Sequence, residues 1–482
     1  MKVLHVSAEC YPAAKAGGLG DVAGALPKFL SAAGVPTGVI IPKYRLKWLD
    51  EHQFHTVYKG AVRLHNYYVP FTIQRESGNA LGFPFFVADI PGKFDRAGIY
   101  SDPGGYNYSD DVERYLSFQQ AVLQWLLNSP GRPQLLHCHD HHTGLIPFMV
   151  RHCQEYRGLS WLPTVFTLHN GAYHGAFGWD NMYLLPAFDA EARGLLDWSG
   201  NINPLATAVK CAWRITTVSP SYLKELQQGS SGGMEYLLQH EQHKCLGILN
   251  GIDTQVWNPA SDSYLAAPLG EDIAAFKRAN KEVLAQHFRL DPRRPLVSFV
   301  GRLVGEKGAD LIPDLIHRVM HSEGELAFAL LGAGNPGLEG VFSQLNQQYP
   351  GRFRAALEYN EGLAHLAYAG SDFLFMPSRT EPCGLNQMYA MTYGTIPVVR
   401  SAGGLKDTVP DIGEPNGVGR GIRFNQFSLD DGQLALYRAV QLYHNQPIFE
   451  EVRRRIMQTN FSWEKSAGAY IDIYKEMGIT TN

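Results

Sequence analysis

Lys15-Ala-Gly-Gly-Leu-Gly-Asp-Val22 lies between an apolar run, Val3-Leu-His-Val-Ser-Ala8, and Asp21-Val-Ala-Gly-Ala-Leu-Pro-Lys-Phe-Leu30. The first flank reads as a buried strand, and the second carries apolar residues at helical spacing. Strand, glycine loop and helix start together present backbone N–H groups and a positive helix end to an anion. Lys15 adds a mobile positive charge beside the loop. Far along the chain the same grammar returns. Phe373-Leu-Phe-Met-Pro377 leads into Ser378-Arg-Thr-Glu-Pro-Cys-Gly-Leu385 and then into a helical stretch, Leu385–Met391. There a carboxylate, Glu381, precedes the helix. One site that grips an anion and one that offers a carboxylate point to chemistry on a phosphorylated donor.

Between these two motifs, short β-branched or aromatic runs alternate with helical patterns. In the first half the predicted strands are 3–8, 38–41, 83–90, 134–137, 163–169 and 214–218. In the second half they are 296–300, 327–331, 353–357, 373–376 and 396–399. Such alternation predicts parallel sheets covered by helices on both faces. The pattern breaks between about 245 and 295 into Asn250-Gly-Ile-Asp and Asn258-Pro-Ala-Ser-Asp, followed by a polar helix and Asp291-Pro-Arg-Arg-Pro295. This stretch is read as the hinge between two Rossmann-like domains, 1–245 and 246–460. In open sheets of this type ligands bind beyond the carboxyl ends of the strands. Residues 44–79, rich in aromatics and positive charge, read as a hairpin excursion. Residues 461–474 read as an amphipathic helix, and 461–482 as a third piece.

Composition excludes several classes. The 482 residues are 45% apolar and 18% charged, with a formal net charge of −4. That suits well-buried globular domains and offers no basic run for a nucleic acid. The six cysteines are scattered with no Cys-x-x-Cys pair, as in a reduced cytoplasmic protein. No window approaches 18 consecutive apolar residues, and the first residues show no cleavable leader, so neither a membrane nor a secretory route is expected.

Three further segments carry chemistry. In Phe299-Val-Gly-Arg-Leu-Val-Gly-Glu-Lys-Gly308, Arg302 and Lys307 lie on a loop between a strand and the helix expected over 309–320. Either both are solvated surface residues, or with Lys15 they clamp a diphosphate, an arginine bidentately and a lysine as a point charge. Leu136-His-Cys-His-Asp-His-His-Thr143 offers metal-ligand chemistry, yet alternate strand residues share one face and no fourth ligand follows, so no metal is assigned. In Thr167-Leu-His-Asn170, His169 and Asn170 end a strand and are as consistent with a structural role as with substrate contact. Leu331-Gly-Ala-Gly-Asn-Pro-Gly337 is a literal G-x-G-x-x-G, with Glu358 placed for a ribose contact. It reads either as a dinucleotide fingerprint or as a tight strand-to-helix turn.

Taken in order, these segments resemble the bacterial glycogen synthase and plant starch synthase family of retaining glucosyltransferases. The resemblance runs nearly end to end, over Lys15–Val22, His137–Leu145, Thr167–Phe177, Val218–Tyr222, Asn250–Pro259, Gly301–Gly308 and Pro377–Val409. It implies a GT-B fold, an α/β architecture in which two doubly wound parallel-sheet domains face each other across a cleft. A C-terminal helix crosses back to the first domain. It also implies transfer of glucose from ADP-glucose to the non-reducing end of an α-1,4-glucan with retention, without cofactor or metal. On that resemblance, Lys15 and the amides of Gly17 and Gly18 contact the donor. Arg302 and Lys307 neutralise the leaving diphosphate, and Glu381 attends the glucosyl unit together with Cys383, Gly384 and Leu385. His169 lies against the reacting sugar, Asp140, Asn170 and Asn250 order its hydroxyls, and Asp21 stands near the acceptor. Tyr359 stacks on the base.

The chain departs from the family at His141 (usually tryptophan), His174 (often glutamine) and Leu366 (usually arginine). Tyr389 occupies the position of a second glutamate found in many retaining GT-B enzymes. The rival readings are a UDP-glucose-dependent transferase, an NAD-dependent oxidoreductase built on Gly332–Gly337, a pyridoxal-phosphate phosphorylase and a non-catalytic glucan binder.

Overall fold

A computed structural model describes residues 1–102, 105–322, 325–415 and 418–481. Its contacts divide the chain into two compact units, Met1–Asn250 with Trp463–Asn482, and Gly251–Ser462.

The first unit is built on a nine-stranded sheet. In spatial order the strands are Cys245–Gly247, Arg214–Thr217, Thr164–Leu168, Leu135–His139, Val3–Val6, Thr37–Pro42, Phe85–Asp89, Tyr67–Glu76 and Phe54–Leu64. Every neighbouring pair is parallel except the last two, which are antiparallel. Within the excursion over 44–79, the strands Phe54–Leu64 and Tyr67–Glu76 form a hairpin that extends the sheet, preceded by a short helix, Lys47–Glu51. The central strands are buried along their whole length, which is why they read as continuous apolar runs.

The helix after the glycine loop spans Gly18–Ala32, three residues longer at its start than the sequence predicts. Pro27 inside it cannot donate to the Ala23 carbonyl. The Cys10 thiol donates to that carbonyl instead, at 3.4 Å. Leu26 and Leu30 of this helix pack with Trp463, Ala467, Tyr470 and Tyr474 of the C-terminal helix Trp463–Glu476 in one apolar cluster. The C-terminal helix thus completes the core of the first unit.

The second unit carries a six-stranded, all-parallel sheet in the order Phe353–Ala356, Ala327–Leu331, Leu296–Val300, Phe373–Met376, Ile396–Arg400 and Ile422–Phe424. The last strand is short and escapes the sequence reading. So does the edge strand Cys245–Gly247. The helix expected over 309–320 begins later, at Ile312, because Gly308 holds a left-handed backbone, φ 70°. The hinge region holds the polar helix that the sequence predicts before Asp291. Ile273–Phe288 is a helix capped by Asp272, and its buried Lys281 pairs with buried Asp372 at 2.6 Å. No helix among the described residues is long and apolar enough to cross a membrane.

Candidate active site

In the second unit the loop after Met376 folds back on the loop after Val300. Glu381 is nearly sealed, with 6% of its side chain exposed. Both of its carboxylate oxygens accept from Lys307 Nζ, at 2.6 and 2.7 Å, and Oε2 also accepts from the Ser378 hydroxyl at 2.9 Å. A buried carboxylate held by an ammonium and a hydroxyl is fixed in place.

The two loops are joined twice more. Arg379 forks onto Asp310 at 2.6 and 2.7 Å, and its backbone N–H donates to the Glu306 carbonyl. Gly403, at φ 44°, lies where a Cβ would stand 2.1 Å from the Glu381 carbonyl oxygen, so only glycine permits this approach. Arg302 remains 62% exposed, and its nearest charge is Glu306 at 3.8 Å. The structure therefore brings Lys307, Ser378 and Glu381 together and leaves the Arg302 guanidinium in solvent.

Gly384 and Leu385 open the helix Asn386–Thr392. Cys383 is buried, and its carbonyl accepts from Gln387. Tyr359 is 86% exposed, just past the strand Phe353–Ala356.

Gly332–Gly337 has a different explanation from a dinucleotide site. A Cβ on Gly332 would meet the Gly301 carbonyl oxygen at 1.9 Å, and Gly334 pairs with Leu303 as a β-bridge. The glycines let this loop lie against the arginine loop. The amides a phosphate would need are occupied, because Asn335 Oδ1 accepts from Gly337 and Leu338, and Glu339 accepts from Gly334.

In the first unit the glycine loop is organised by a residue the sequence reading misses. Glu9 is buried, and its Oε2 accepts from the amides of Ala16 and Gly17 at 2.6 and 2.9 Å. The Tyr100 hydroxyl donates to Oε1 at 2.6 Å. The resemblance assigns the Gly17 amide to the donor, but a protein carboxylate already holds it. Gly18 is the first helical residue, so its amide has no acceptor within the helix. Lys15 is not a free mobile charge either, since Nζ pairs with Asp21 at 2.6 Å.

Asp140 and His169 end adjacent strands. Asp140 Oδ1 accepts from the His169 backbone N–H at 2.7 Å, and Asp140 adopts a left-handed φ of 55°. Desolvation pushes its carboxyl up to about 7, against the lowering effect of the His169 and Asn170 amides. Asn170 closes an Asx turn onto Ala172. Asn250 is buried, and its Oδ1 lacks a hydrogen-bond partner among the described residues.

Two of the departures from the family pattern have local roles. His174 Nε2 donates to the carbonyls of Ser231 and Gly171 while Nδ1 accepts from Asn203, which ties down the 230s loop. His141 packs its ring over Gly175.

Behind His169 lies a buried file of histidines. His169 Nε2 contacts His139 Nδ1 at 2.9 Å, and His139 Nε2 contacts His5 Nδ1 at 2.8 Å. Burial lowers His5 and His169 to about 3, His5 further by the charge of His169, and holds His137 and His139 well below the usual range. Ring nitrogens of His5, His137 and His139 come within 4.8 Å of one another, the spacing of metal ligands. The His139 ring, however, is stacked on those of His5 and His137, and the nitrogens are engaged with each other or with hydroxyls. Lone pairs so used do not converge on an ion.

Comparison with known proteins shows the family. Residues 2–240 match the family described as the starch synthase catalytic domain, and 280–418 match glycosyl transferases group 1. The chain is 47% identical over 477 residues to a glycogen synthase of Flavobacterium johnsoniae, covering 98% of both chains. It is 37% identical to a glycogen synthase of Bacillus anthracis, covering 99% of this chain and 100% of that one. Among solved structures it is similar to the catalytic domain of starch synthase IV from Arabidopsis thaliana bound to ADP and acarbose. That likeness has a TM-score of 0.88 and 31% identity over 99% of both chains. A sucrose-phosphate synthase from Thermosynechococcus elongatus shares the fold at 17% identity and a TM-score of 0.59, again over 99% of both chains. Two α/β units built on largely parallel sheets with the candidate loops at strand ends, and full-length likeness in both sequence and structure, lead to one conclusion: the chain belongs to the bacterial glycogen synthase and plant starch synthase family of GT-B glycosyltransferases.

Proposed function

We propose that this protein elongates an α-1,4-glucan such as glycogen, moving glucose from ADP-glucose to the non-reducing end with retention of the α-configuration. The observation that carries the reading is the Lys307–Glu381–Ser378 cluster at the strand ends of the second unit. Relatives named glycogen synthase and a starch synthase bound to ADP support the substrate classes.

Arg302, exposed to solvent, and Lys307 meet the charge that builds on the departing diphosphate, the work often left to a metal ion. Glu381 stabilises positive charge near the anomeric carbon. The amides of Gly384 and Leu385, beside Cys383, orient the sugar, and Tyr359 offers an open ring to the base. From the first unit, His169 contacts the sugar, while Asp140, Asn170 and Asn250 order its hydroxyls. Lys15 and Gly18 contact the donor, and Asp21 attends the acceptor. Glu381 is the one carboxylate of this cluster, because Tyr389 occupies the second position. Its charge is matched by Lys307, so it suits electrostatic support better than nucleophilic attack. Retention then follows from same-face attack through an oxocarbenium-like state, with the leaving phosphate accepting the acceptor's proton.

The test is incubation with glycogen and either ADP-glucose or UDP-glucose. Nucleotide release and the anomeric signal of the new linkage are followed by NMR. ADP release with an α-linked product is expected. Preferential UDP release would overturn the donor assignment, and a β-linked product would overturn retention.

A further inference from the structure

We propose that His139 and His5 are positioning residues that hold His169 in its Nδ1–H tautomer, so that the ring presents a hydrogen-bond donor to the sugar. The proposal rests on the reading of His169 as a sugar contact and deepens it.

The network can be followed atom by atom. Thr216 Oγ1 lies 2.6 Å from Thr167 Oγ1, which lies 2.6 Å from His137 Nε2. His137 Nδ1 is 2.6 Å from the Tyr474 hydroxyl on the C-terminal helix, and that hydroxyl is 3.5 Å from His5 Nε2. His5 Nδ1 then meets His139 Nε2, and His139 Nδ1 meets His169 Nε2. Thr167, Thr216, His5, His137 and His139 are sealed from solvent. Burial keeps all four rings neutral, one N–H each.

With one proton per ring and one proton per contact, the three-ring file has only two arrangements. Either every proton points from His169 toward His5, or every proton points from His5 toward His169. In the first, His169 is Nε2–H and its Nδ1 accepts. In the second, His169 is Nδ1–H and its Nδ1 donates.

The far end decides between them. The only hydrogen-bond partner of the Thr216 hydroxyl among the described residues is Thr167 Oγ1. A buried hydroxyl proton without an acceptor is costly, so Thr216 donates to Thr167. Thr167 then donates to His137 Nε2, His137 Nδ1–H to the Tyr474 oxygen, and Tyr474 to His5 Nε2. His5 Nδ1–H therefore donates to His139, and His139 Nδ1–H to His169 Nε2. The remaining proton of His169 sits on Nδ1, the nitrogen left for a ligand. The tautomer of a histidine is set by what its other nitrogen meets, and here that choice starts at Thr216 and passes through Tyr474 of the C-terminal helix.

Two-bond ¹H–¹⁵N correlation spectra of the full-length protein labelled with ¹⁵N-histidine test this. The His169 signals are assigned by their loss in His169→Asn. A protonated Nδ1 and an unprotonated Nε2 are expected for His169 in the wild type. His139→Phe removes the partner of Nε2 while keeping an aromatic ring, and Tyr474→Phe cuts the link to His137. Both should shift His169 toward Nε2–H and lower kcat by about tenfold, the loss of one well-placed hydrogen bond, with KM for ADP-glucose little changed. A wild-type His169 in the Nε2–H form, or a tautomer unmoved by His139→Phe, would overturn the relay. Near-normal turnover by His169→Asn would instead overturn the sugar-contact reading, whatever the spectra show.

Discussion

Asp140 shows how a single side chain can be tuned by position. Its backbone is left-handed, its carboxylate accepts the His169 amide at 2.7 Å, and desolvation raises its pKa to about 7. The ionised form is the better acceptor, both for that amide and for a sugar hydroxyl. Activity carried by the ionised form should therefore decline as pH falls through about 7. In Asp140→Asn that acid limb of the kcat/KM profile should disappear while the maximum is lower. A wild-type profile flat from pH 8 to 6 would remove Asp140 from this role. Residues of this kind are partly legible in sequence. Glu381, Lys307 and Arg302 announce themselves because their loops carry local strand, glycine and helix signals. Glu9 does not, because its partners are backbone amides seven and eight residues on, and nothing in the string marks a carboxylate turned into its own loop.

Among the elements, the C-terminal helix has the widest reach. Trp463–Glu476 closes the apolar cluster over the helix Gly18–Ala32 and sends Tyr474 to the histidine file. Its amphipathic spacing is readable from sequence, and its helical state follows. Its tie to His137 is not readable, since the two residues are 337 positions apart and no periodicity links them. Trp463 is buried, so Trp463→Ala removes a large side chain from the cluster and should destabilise the first unit by about 3–5 kcal/mol. Chemical denaturation followed by circular dichroism measures this, and a change below about 1 kcal/mol would show that the helix is not part of that core. The loop Gly332–Gly337 teaches the opposite lesson. Its motif was conspicuous, but its glycines serve the close approach to Gly301 and Leu303 rather than a cofactor. A regular expression cannot tell an open turn from one already filled by backbone.

At the scale of the whole molecule, both units obey one rule, with the residues of interest at the carboxyl ends of parallel strands. Asp140 and His169 follow the strands Leu135–His139 and Thr164–Leu168, while Arg302 and Glu381 follow Leu296–Val300 and Phe373–Met376. The alternation of apolar runs and helices makes that architecture legible. Short edge strands such as Ile422–Phe424 stay hidden because three residues carry too little periodicity.

The buried histidines also set how the protein responds to acid. Their folded-state pKa values lie far below the ordinary 6.5, at about 3 for His5 and His169, so the unfolded chain binds more protons between those limits. Stability is then fully present above about pH 6.5 and lost as pH falls from there toward 3. His141 and His142, lowered by the same burial, add to this, while raised carboxylates such as Asp140 oppose it. Thermal unfolding should move to lower temperature between pH 7 and 5, and a transition temperature that rises over that interval would contradict the neutral, buried file.

The account as a whole stands on Glu381 held by Lys307 at the strand ends of the second unit. The direct measurement is steady-state ADP release from ADP-glucose with glycogen, for wild type, Glu381→Ala and Lys307→Ala, beside ADP affinity by calorimetry. The account predicts that kcat falls by about a hundredfold or more in both variants while Glu381→Ala still binds ADP. Near-normal kcat in Glu381→Ala, or an effect of Lys307→Ala confined to KM, would contradict it.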